Sequence, residues 1–191
     1  MRLIFVNSCI RDKDSRTLKI ARNIINGLDK KIDVEEIDIN DLNLVPYTKN
    51  NNPVYQLINE KYRQISQKIA DSDGLIIAAP FWDMSFPSLL KVFLEKLSIA
   101  DVMFKDTGVT CEGIAKCPFM FYVTTRGMNI PDNSSLEQAT PYLKALCELW
   151  GIKNFSFISA YNLDYSSNEK VEELIKKASE EGLVKLNNLI G

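Results

Sequence analysis

Three segments of this 191-residue chain carry side chains that could bind a small molecule. Each of them follows a short apolar run with the composition of a buried strand. The segments span residues 8–17, 80–85 and 124–128. Ligands of parallel sheets bind beyond the carboxyl ends of the strands, at one edge of the sheet. We therefore expect the three segments to line a common site.

The first segment combines hydroxyl groups and cations at the predicted start of a helix. Its polar side chains are Ser8, Cys9, Arg11, Ser15, Arg16 and Thr17. Hydroxyls and free backbone N–H groups at a helix N-terminus bind a phosphate monoester, and an arginine adds charge-assisted hydrogen bonds. The segment contains neither G-x-G-x-x-G nor G-K-[ST], which excludes a dinucleotide fingerprint and a P-loop. Alternatively, Ser15 is an ordinary N-cap and the arginines are solvated.

The other two segments suit a flat ring. Phe81 and Trp82 directly follow a predicted buried strand and could form apolar walls, or they could fill core space beneath a loop. The run Thr124-Thr125-Arg126-Gly127 could bring its backbone close to the edge of a ring, or it could be a plain turn. The conjunction of all three segments at one sheet edge favours a site.

Histidine is absent from the chain. This excludes a Ser-His-Asp triad, a Cys-His dyad, histidine-ligated metal sites and histidine general bases. Chemistry near neutral pH would depend on a cofactor, a perturbed carboxylate or lysine, or a thiol. The four cysteines form no C-x-x-C pair, so neither a zinc site nor a redox dithiol is predicted. We expect no bound metal and reduced thiols, with Cys117 and Cys147 as small buried apolar residues.

Charge and hydropathy limit the location and the partners. The formal net charge is -2, and no concentrated basic face is evident, so we expect no nucleic-acid partner. The apolar run Leu3–Val6 is too short for a signal-peptide core or a membrane span. We therefore expect a cytoplasmic protein that does not associate with a membrane.

Short apolar runs alternate with segments of helical period along the whole chain. Strands are predicted at residues 3–6, 34–39, 74–79, 119–123 and 155–160, and helices after Ser15, from Ile58, from Pro87, from Thr140 and from Val171. Residues 40–53 have the composition of a loop, and residues 101–116 show no clear period. Such alternation predicts one domain over 1–191, a parallel sheet with helices on both faces.

The order and spacing of these segments resemble one known family, the FMN-dependent NADH-azoreductases. Residues 77–84, Ile-Ala-Ala-Pro-Phe-Trp-Asp-Met, resemble the family's A-P-M-Y-N-F segment. Residues 124–127 resemble its T-S-R-G-G, and residues 140–143 its T-P-Y-L. Residues 104–105 and 112–113 lie between the segments 77–84 and 124–127 and resemble the family's hairpin. Residues 8–17 resemble the family's phosphate loop. The resemblance covers nearly the whole chain.

The resemblance implies a flavodoxin-like, doubly wound α/β fold with five parallel strands in the order 2-1-3-4-5. It also implies a homodimer that binds FMN, takes electrons from NADH or NADPH, and passes them to a quinone or azo compound by a ping-pong mechanism. No side chain would act as a base, because the flavin supplies the redox chemistry. By position, Cys9, Ser15, Arg16 and Thr17 would hold the phosphate. The ring would be lined by Phe81, Trp82, Asp83, Met84, Thr125, Arg126, Gly127 and Met128, and its outer face would be covered by Phe104.

Three positions depart from the family pattern. Cys9 stands where the family usually has serine, Asp83 where it has asparagine, and Met128 where it has a second glycine. A carboxylate near the ring would lower the flavin potential unless Asp83 is protonated or paired, with Arg126 as one possible partner. We still expect FMN to bind.

Three other functions stay open at this stage. One is an electron carrier like flavodoxin, although such carriers usually present a strongly acidic face, which a net charge of -2 does not favour. The others are an NAD(P)H-dependent FMN reductase and a binding module without flavin. Phe104 and Met103 would be exposed apolar residues covered by a partner chain, or they would pack internally.

Overall fold

The computed structural model describes residues 1–50 and 59–191. Residues 51–53 of the predicted loop and Ile58 at the predicted start of the second helix lie outside the described residues. A short 3-10 helix, Ile39–Leu42, begins at the last residue of the predicted second strand and continues into the predicted loop.

The centre of the molecule is a parallel sheet of five strands. These are β1 (Arg2–Asn7), β2 (Asp33–Asp38), β3 (Gly74–Ala78), β6 (Phe119–Thr125) and β7 (Asn154–Ala160). Their order is β2-β1-β3-β6-β7, which confirms the predicted order because the two other strands found in residues 1–50 and 59–191 form a separate hairpin. Val6 of β1 pairs with Ile37 on one side and with Ile77 on the other.

Helices cover both faces of this sheet. They are α1 (Arg16–Asn26), α2 (Glu60–Ala70), α3 (Ser88–Leu97), α4 (Ala139–Trp150) and α5 (Asn168–Ile190). Alternate residues of β1 enter different cores, because successive strand side chains point to opposite faces. Leu3 and Phe5 pack with α1 and α5, whereas Ile4 and Val6 pack with α2, α3 and α4. Among the described helices, none is long and apolar enough to cross a bilayer.

The region without a predicted period contains a two-stranded hairpin. Its strands are β4 (Phe104–Asp106) and β5 (Cys111–Gly113), paired antiparallel. A Cβ atom on Gly113 would lie 2.0 Å from the backbone nitrogen of Gly151, so the hairpin lies directly against the end of α4. Gly151 itself has a φ of +83°, a conformation that glycine adopts without strain.

This hairpin lies at the amino-terminal edge of the sheet. The N–H groups of Lys116 and Cys117, just after the hairpin, both donate to the carbonyl of Ala70 at the end of α2. That carbonyl precedes β3, and Cys117 precedes β6. Met103 is fully buried and Phe104 is partly buried against the same core, so of the two alternatives left open by the sequence the internal packing is the one observed for Met103.

Candidate functional site

A cavity of about 270 Å³ lies at the opposite edge of the sheet, beyond the carboxyl ends of β1, β3 and β6. It is bounded by residues from all three segments singled out in the sequence. The lining residues are Ile10, Arg11, Asp14, Ser15, Arg16, Thr17, Pro80, Phe81, Trp82, Thr125, Gly127, Met128 and Asp164. These segments are distant in the chain, and they meet at one edge of the sheet because the strands that precede them are parallel.

The first wall is the N-terminus of α1. Ser15 is the N-cap, and its Oγ accepts a hydrogen bond from the N–H of Leu18 at 3.2 Å. The first intrahelical bond runs from the N–H of Lys19 to the carbonyl of Ser15. The N–H groups of Arg16 and Thr17 therefore have no acceptor within the helix, as is usual at a helix start. Ser15 is thus a cap and, at the same time, a residue of the cavity wall.

Cys9 does not reach the cavity. Its side chain is buried, with 3% of its surface exposed, and its Sγ donates to the carbonyl of Ala78 at 3.6 Å. Burial raises the pKa of Cys9 to about 11, although a hydrogen bond with Ser15 opposes this shift. The thiol is therefore neutral at physiological pH, and it lies outside the cavity that residues of the neighbouring segment 10–17 line.

The second wall combines Phe81 and Trp82 with a tight turn. The backbones of Trp82 and Ser85 exchange two hydrogen bonds, at 2.9 and 2.8 Å. The two residues between them, Asp83 and Met84, have φ values of +46° and +66°. Two positive φ values are typical of a type I′ turn, where aspartate is well tolerated and methionine is not. Asp83 and Met84 form this turn but do not line the cavity; Phe81 is buried, and Trp82 is exposed at the mouth.

The third wall is the loop after β6. The hydroxyls of Thr125 and Thr17 are 2.6 Å apart, which joins this wall to the first. A Cβ atom on Gly127 would lie 1.8 Å from Oδ2 of Asp164, so only glycine leaves room for that carboxylate. The N–H of Asp164 also donates to the carbonyl of Gly127 at 3.0 Å. Met128 is exposed at the rim of the cavity.

Arg126 points away from the cavity. Its side chain is fully buried, and it donates to the carbonyl of Ile130 and to Oδ1 of Asp132, both at 2.7 Å. Its guanidinium lies 5.4 Å from the centroid of the Phe81 ring. The suggested pairing of Arg126 with Asp83 is therefore wrong: Asp132, six residues along the chain, takes that place.

Asp164 is the lining residue that lies outside the three predicted segments; Ile10 and Asp14 lie within the first segment but were not predicted as site residues. Its Oδ1 lies 2.8 Å from Nη1 of Arg16, across 148 positions of the chain. Both side chains are partly exposed, at 36% for Arg16 and 60% for Asp164. No motif marks Asp164, because its role depends on the loop after β7 reaching the start of α1.

Phe104 does not line the cavity of its own chain. It lies on the hairpin at the amino-terminal edge of the sheet, whereas the cavity lies at the carboxyl-terminal edge. A contact between Phe104 and a ligand in this cavity would thus require a second copy of the chain.

Comparison with known proteins agrees with this architecture. The family model described as flavodoxin-like fold matches residues 1–184. A relative from Clostridium perfringens strain 13, named FMN-dependent NADH:quinone oxidoreductase 2, is 28% identical over 194 residues, which covers 93% of this chain and 96% of the relative. The FMN-dependent NADH:quinone oxidoreductase of Clostridium beijerinckii is 29% identical over 182 residues, covering 87% of this chain and 89% of its own length.

Solved structures show the same fold. The FMN-dependent NADH-azoreductase of Bacillus anthracis, solved in complex with FMN, superposes with a TM-score of 0.83 at 18% identity, and each chain is covered over 100% of its length. At this level of identity the superposition establishes a shared architecture. Together with the family match over residues 1–184, it shows that the chain belongs to the flavodoxin-like fold family.

Proposed function

We propose that the protein is an FMN-dependent oxidoreductase that transfers two electrons from NADH or NADPH to a quinone, an azo compound or a similar acceptor. The observation that carries this proposal is the cavity at the carboxyl ends of the strands, which has a helix N-terminus at one end and aromatic walls at the other. The names of the curated relatives support the same activity.

The residues present fit FMN. A phosphate would be held by Ser15, Arg16 and Thr17 at the start of α1, where N–H groups and a cation are available. The ring would lie between the Phe81–Trp82 segment and the backbone of the loop from Thr125 to Met128. Asp83, Met84, Arg126 and Cys9 would act through the backbone or from behind the wall, because their side chains do not line the cavity.

Bound FMN would supply the redox chemistry, taking a hydride from the nicotinamide and giving two electrons to the acceptor. The chain itself would bind, orient and exclude water. Trp82 and Met128 are exposed apolar side chains at the rim, with 43% and 40% of their surfaces accessible, and they would contact the second substrate. Such a mechanism requires no side-chain base, which is consistent with a protein that has no histidine.

We further propose that the protein is a homodimer in the cytoplasm. The hairpin exposes Val109 and has Ile114 exposed beside it, with 95% and 43% of their surfaces accessible, which favours an apolar contact with a partner. Phe104 on that hairpin would cover the cavity of the second copy. All four cysteines are free thiols, which fits a reducing compartment.

The decisive experiment is the absorption spectrum of the purified protein followed by steady-state kinetics. We expect bound flavin, bleaching of its absorbance by NADH, and rapid NADH oxidation when menadione is added. Parallel lines in double-reciprocal plots would support the ping-pong mechanism. Absence of flavin, with none taken up from micromolar FMN, would refute the proposal. Bound flavin without NADH oxidation would instead indicate an electron carrier.

Sedimentation of the flavin-loaded protein tests the dimer. We expect a dimer for the native chain and an unchanged dimer for Phe104→Ala, whose KM for the acceptor would rise because one cover of the cavity is lost. A monomer that has full NADH:menadione activity would contradict the role given to Phe104.

A further inference from the structure

A carboxylate stands at the end of the cavity where the phosphate of FMN is expected. Oδ1 of Asp164 lies 2.8 Å from Nη1 of Arg16, and both residues line the cavity. Both also line the adjoining groove between α1 and α5. The position of Asp164 is set by its N–H bond to the carbonyl of Gly127 and by the space that Gly127 leaves.

The charges at this end of the cavity are balanced. Among the described residues that line it, the cations are Arg11 and Arg16, and the anions are Asp14 and Asp164. The side chains that line the cavity would thus present no net charge to a phosphate dianion, and the N-terminus of α1 would add its attraction. Arg16, the residue best placed to bind the phosphate, already has an anionic partner.

We propose that Asp164 competes with the cofactor phosphate for Arg16 and thereby sets how strongly the site prefers FMN over riboflavin. This inference rests on the proposed function. FMN and riboflavin share the ring and the ribityl chain, and they differ only in the charged phosphate. A change confined to the phosphate end must therefore alter the affinity for FMN and leave the affinity for riboflavin unchanged.

Replacement of Asp164 by a phosphate as the partner of Arg16 costs little free energy, because the Arg16–Asp164 pair is partly exposed. Ion pairs that solvent reaches contribute little free energy, so Asp164 can leave Arg16 at small cost when a phosphate arrives. The ionised carboxylate of Asp164, however, repels a phosphate dianion that is bound a few ångströms away. Removal of that charge is expected to tighten FMN binding roughly tenfold at low ionic strength.

The test compares flavin affinities of the full chain, stripped of flavin, and its Asp164→Asn variant by fluorescence titration. Asparagine keeps the shape against Gly127 and removes the charge. We expect the Kd of FMN to fall about tenfold and that of riboflavin to change by less than about twofold. The FMN effect should shrink as salt is added, because partly exposed charges are screened.

A matched control is Glu172→Gln. Glu172 pairs with Lys19 at 2.6 Å and lines the adjoining groove but not the cavity. The substitution also removes one negative charge near the site, and we expect the FMN affinity to stay within about twofold of that of the native chain. An equal gain in this control, an equal gain for riboflavin, or no gain for FMN would overturn the proposal while flavin binding itself stands.

Two further measurements distinguish a folding defect from a change in flavin affinity. Asp164→Ser tests the same charge removal should the asparagine variant fold poorly, and the denaturation midpoint of each variant reports folding. If the native chain and its variants bind neither flavin, the proposed function fails and the inference fails with it. If FMN binds equally well to the native chain and both Asp164 variants, only the competition is wrong.

Discussion

Replacement of Arg126 by methionine tests whether a buried guanidinium shapes the third wall of the cavity. Arg126 is fully buried, and its two hydrogen bonds hold the carbonyl of Ile130 and the carboxylate of Asp132. Asp132 also accepts a bond from the hydroxyl of Ser159 at 2.6 Å, which ties the loop to β7. Methionine has a similar length and fills the same space without donors or charge.

The expected loss of stability depends on whether the carbonyl of Ile130 and the carboxylate of Asp132 can be hydrated once the guanidinium is removed. Ile130 is 5% exposed, so its carbonyl would be left buried without this donor, at a cost of about 1–3 kcal/mol. The Asp132 side chain is 44% exposed, so its carboxylate can be hydrated, and the lost pair costs about 1 kcal/mol or less. Burial of an apolar side chain in place of a guanidinium recovers part of this loss. We expect the free energy of unfolding to fall by about 1–3 kcal/mol.

The same substitution should weaken FMN binding by more than about tenfold, because the loop after β6 loses the bonds that fix its backbone. Chemical denaturation gives the first quantity, and fluorescence titration with FMN gives the second. Arg22→Met is the matched control, since Arg22 also pairs with a carboxylate (2.6 Å) and lies over a phenylalanine ring (5.5 Å), but its side chain is 46% exposed.

We expect the control to cost less than about 1 kcal/mol and to leave FMN affinity unchanged. The reasoning is refuted if Arg126→Met binds FMN as the native chain does, because the guanidinium then does not position the loop. It is also refuted if Arg22→Met destabilises the chain equally, because burial is then not the determinant.

Further predictions concern backbone contacts and thiols. Gly127→Ala places a methyl group against a carboxylate oxygen (1.8 Å) at the end of a flexible side chain that can move; chemical denaturation should therefore give an unfolding midpoint close to that of the native chain. Thiol titration near pH 8 should find a single fast thiol, Cys111, because the other three are buried, and Cys111→Ser should abolish that phase. Burial raises the pKa of Cys9 from 9.0 to about 11, and it also raises the pKa values of Cys117 and Cys147, so unfolding between pH 9 and 11 releases protons from these thiols and the free energy of unfolding should fall as pH rises from about 9 to about 11. Denaturation of Cys111→Ser at both ends of that range checks the sign. Gly113→Ala forces two backbones apart and should cost about 2–4 kcal/mol by denaturation, whereas Val109→Ala at the exposed tip should cost less than about 0.5 kcal/mol.

The three central strands could be predicted because they are buried on both faces. A strand such as β3, Gly74–Ala78, is continuously apolar and fully buried, so its composition alone distinguishes it from the amphipathic helices around it. The hairpin gave no such signal. Its strands have three residues each and are largely exposed, and the contact between Gly113 and Gly151 that places it is visible only in the folded chain.

The walls of the cavity could be predicted as segments, but the directions of their side chains could not. The strand order brings residues 8–17, 80–85 and 124–128 together whatever their side chains are. Within those loops, tertiary hydrogen bonds decide which side chains point inward. Cys9 is turned towards the carbonyl of Ala78, and Arg126 towards that of Ile130, so both leave the cavity.

The two arginines of these segments show why residue type alone does not predict a ligand contact. Arg126 is held by a buried carbonyl and by Asp132, so its release would leave a buried acceptor unpaired. Arg16 is held by Asp164 at a partly exposed position, where an ion pair contributes about 0–1 kcal/mol. A phosphate can therefore replace the partner of Arg16 but not the partners of Arg126. Burial of the existing partners, rather than the presence of a cation, decides which arginine is available to a ligand.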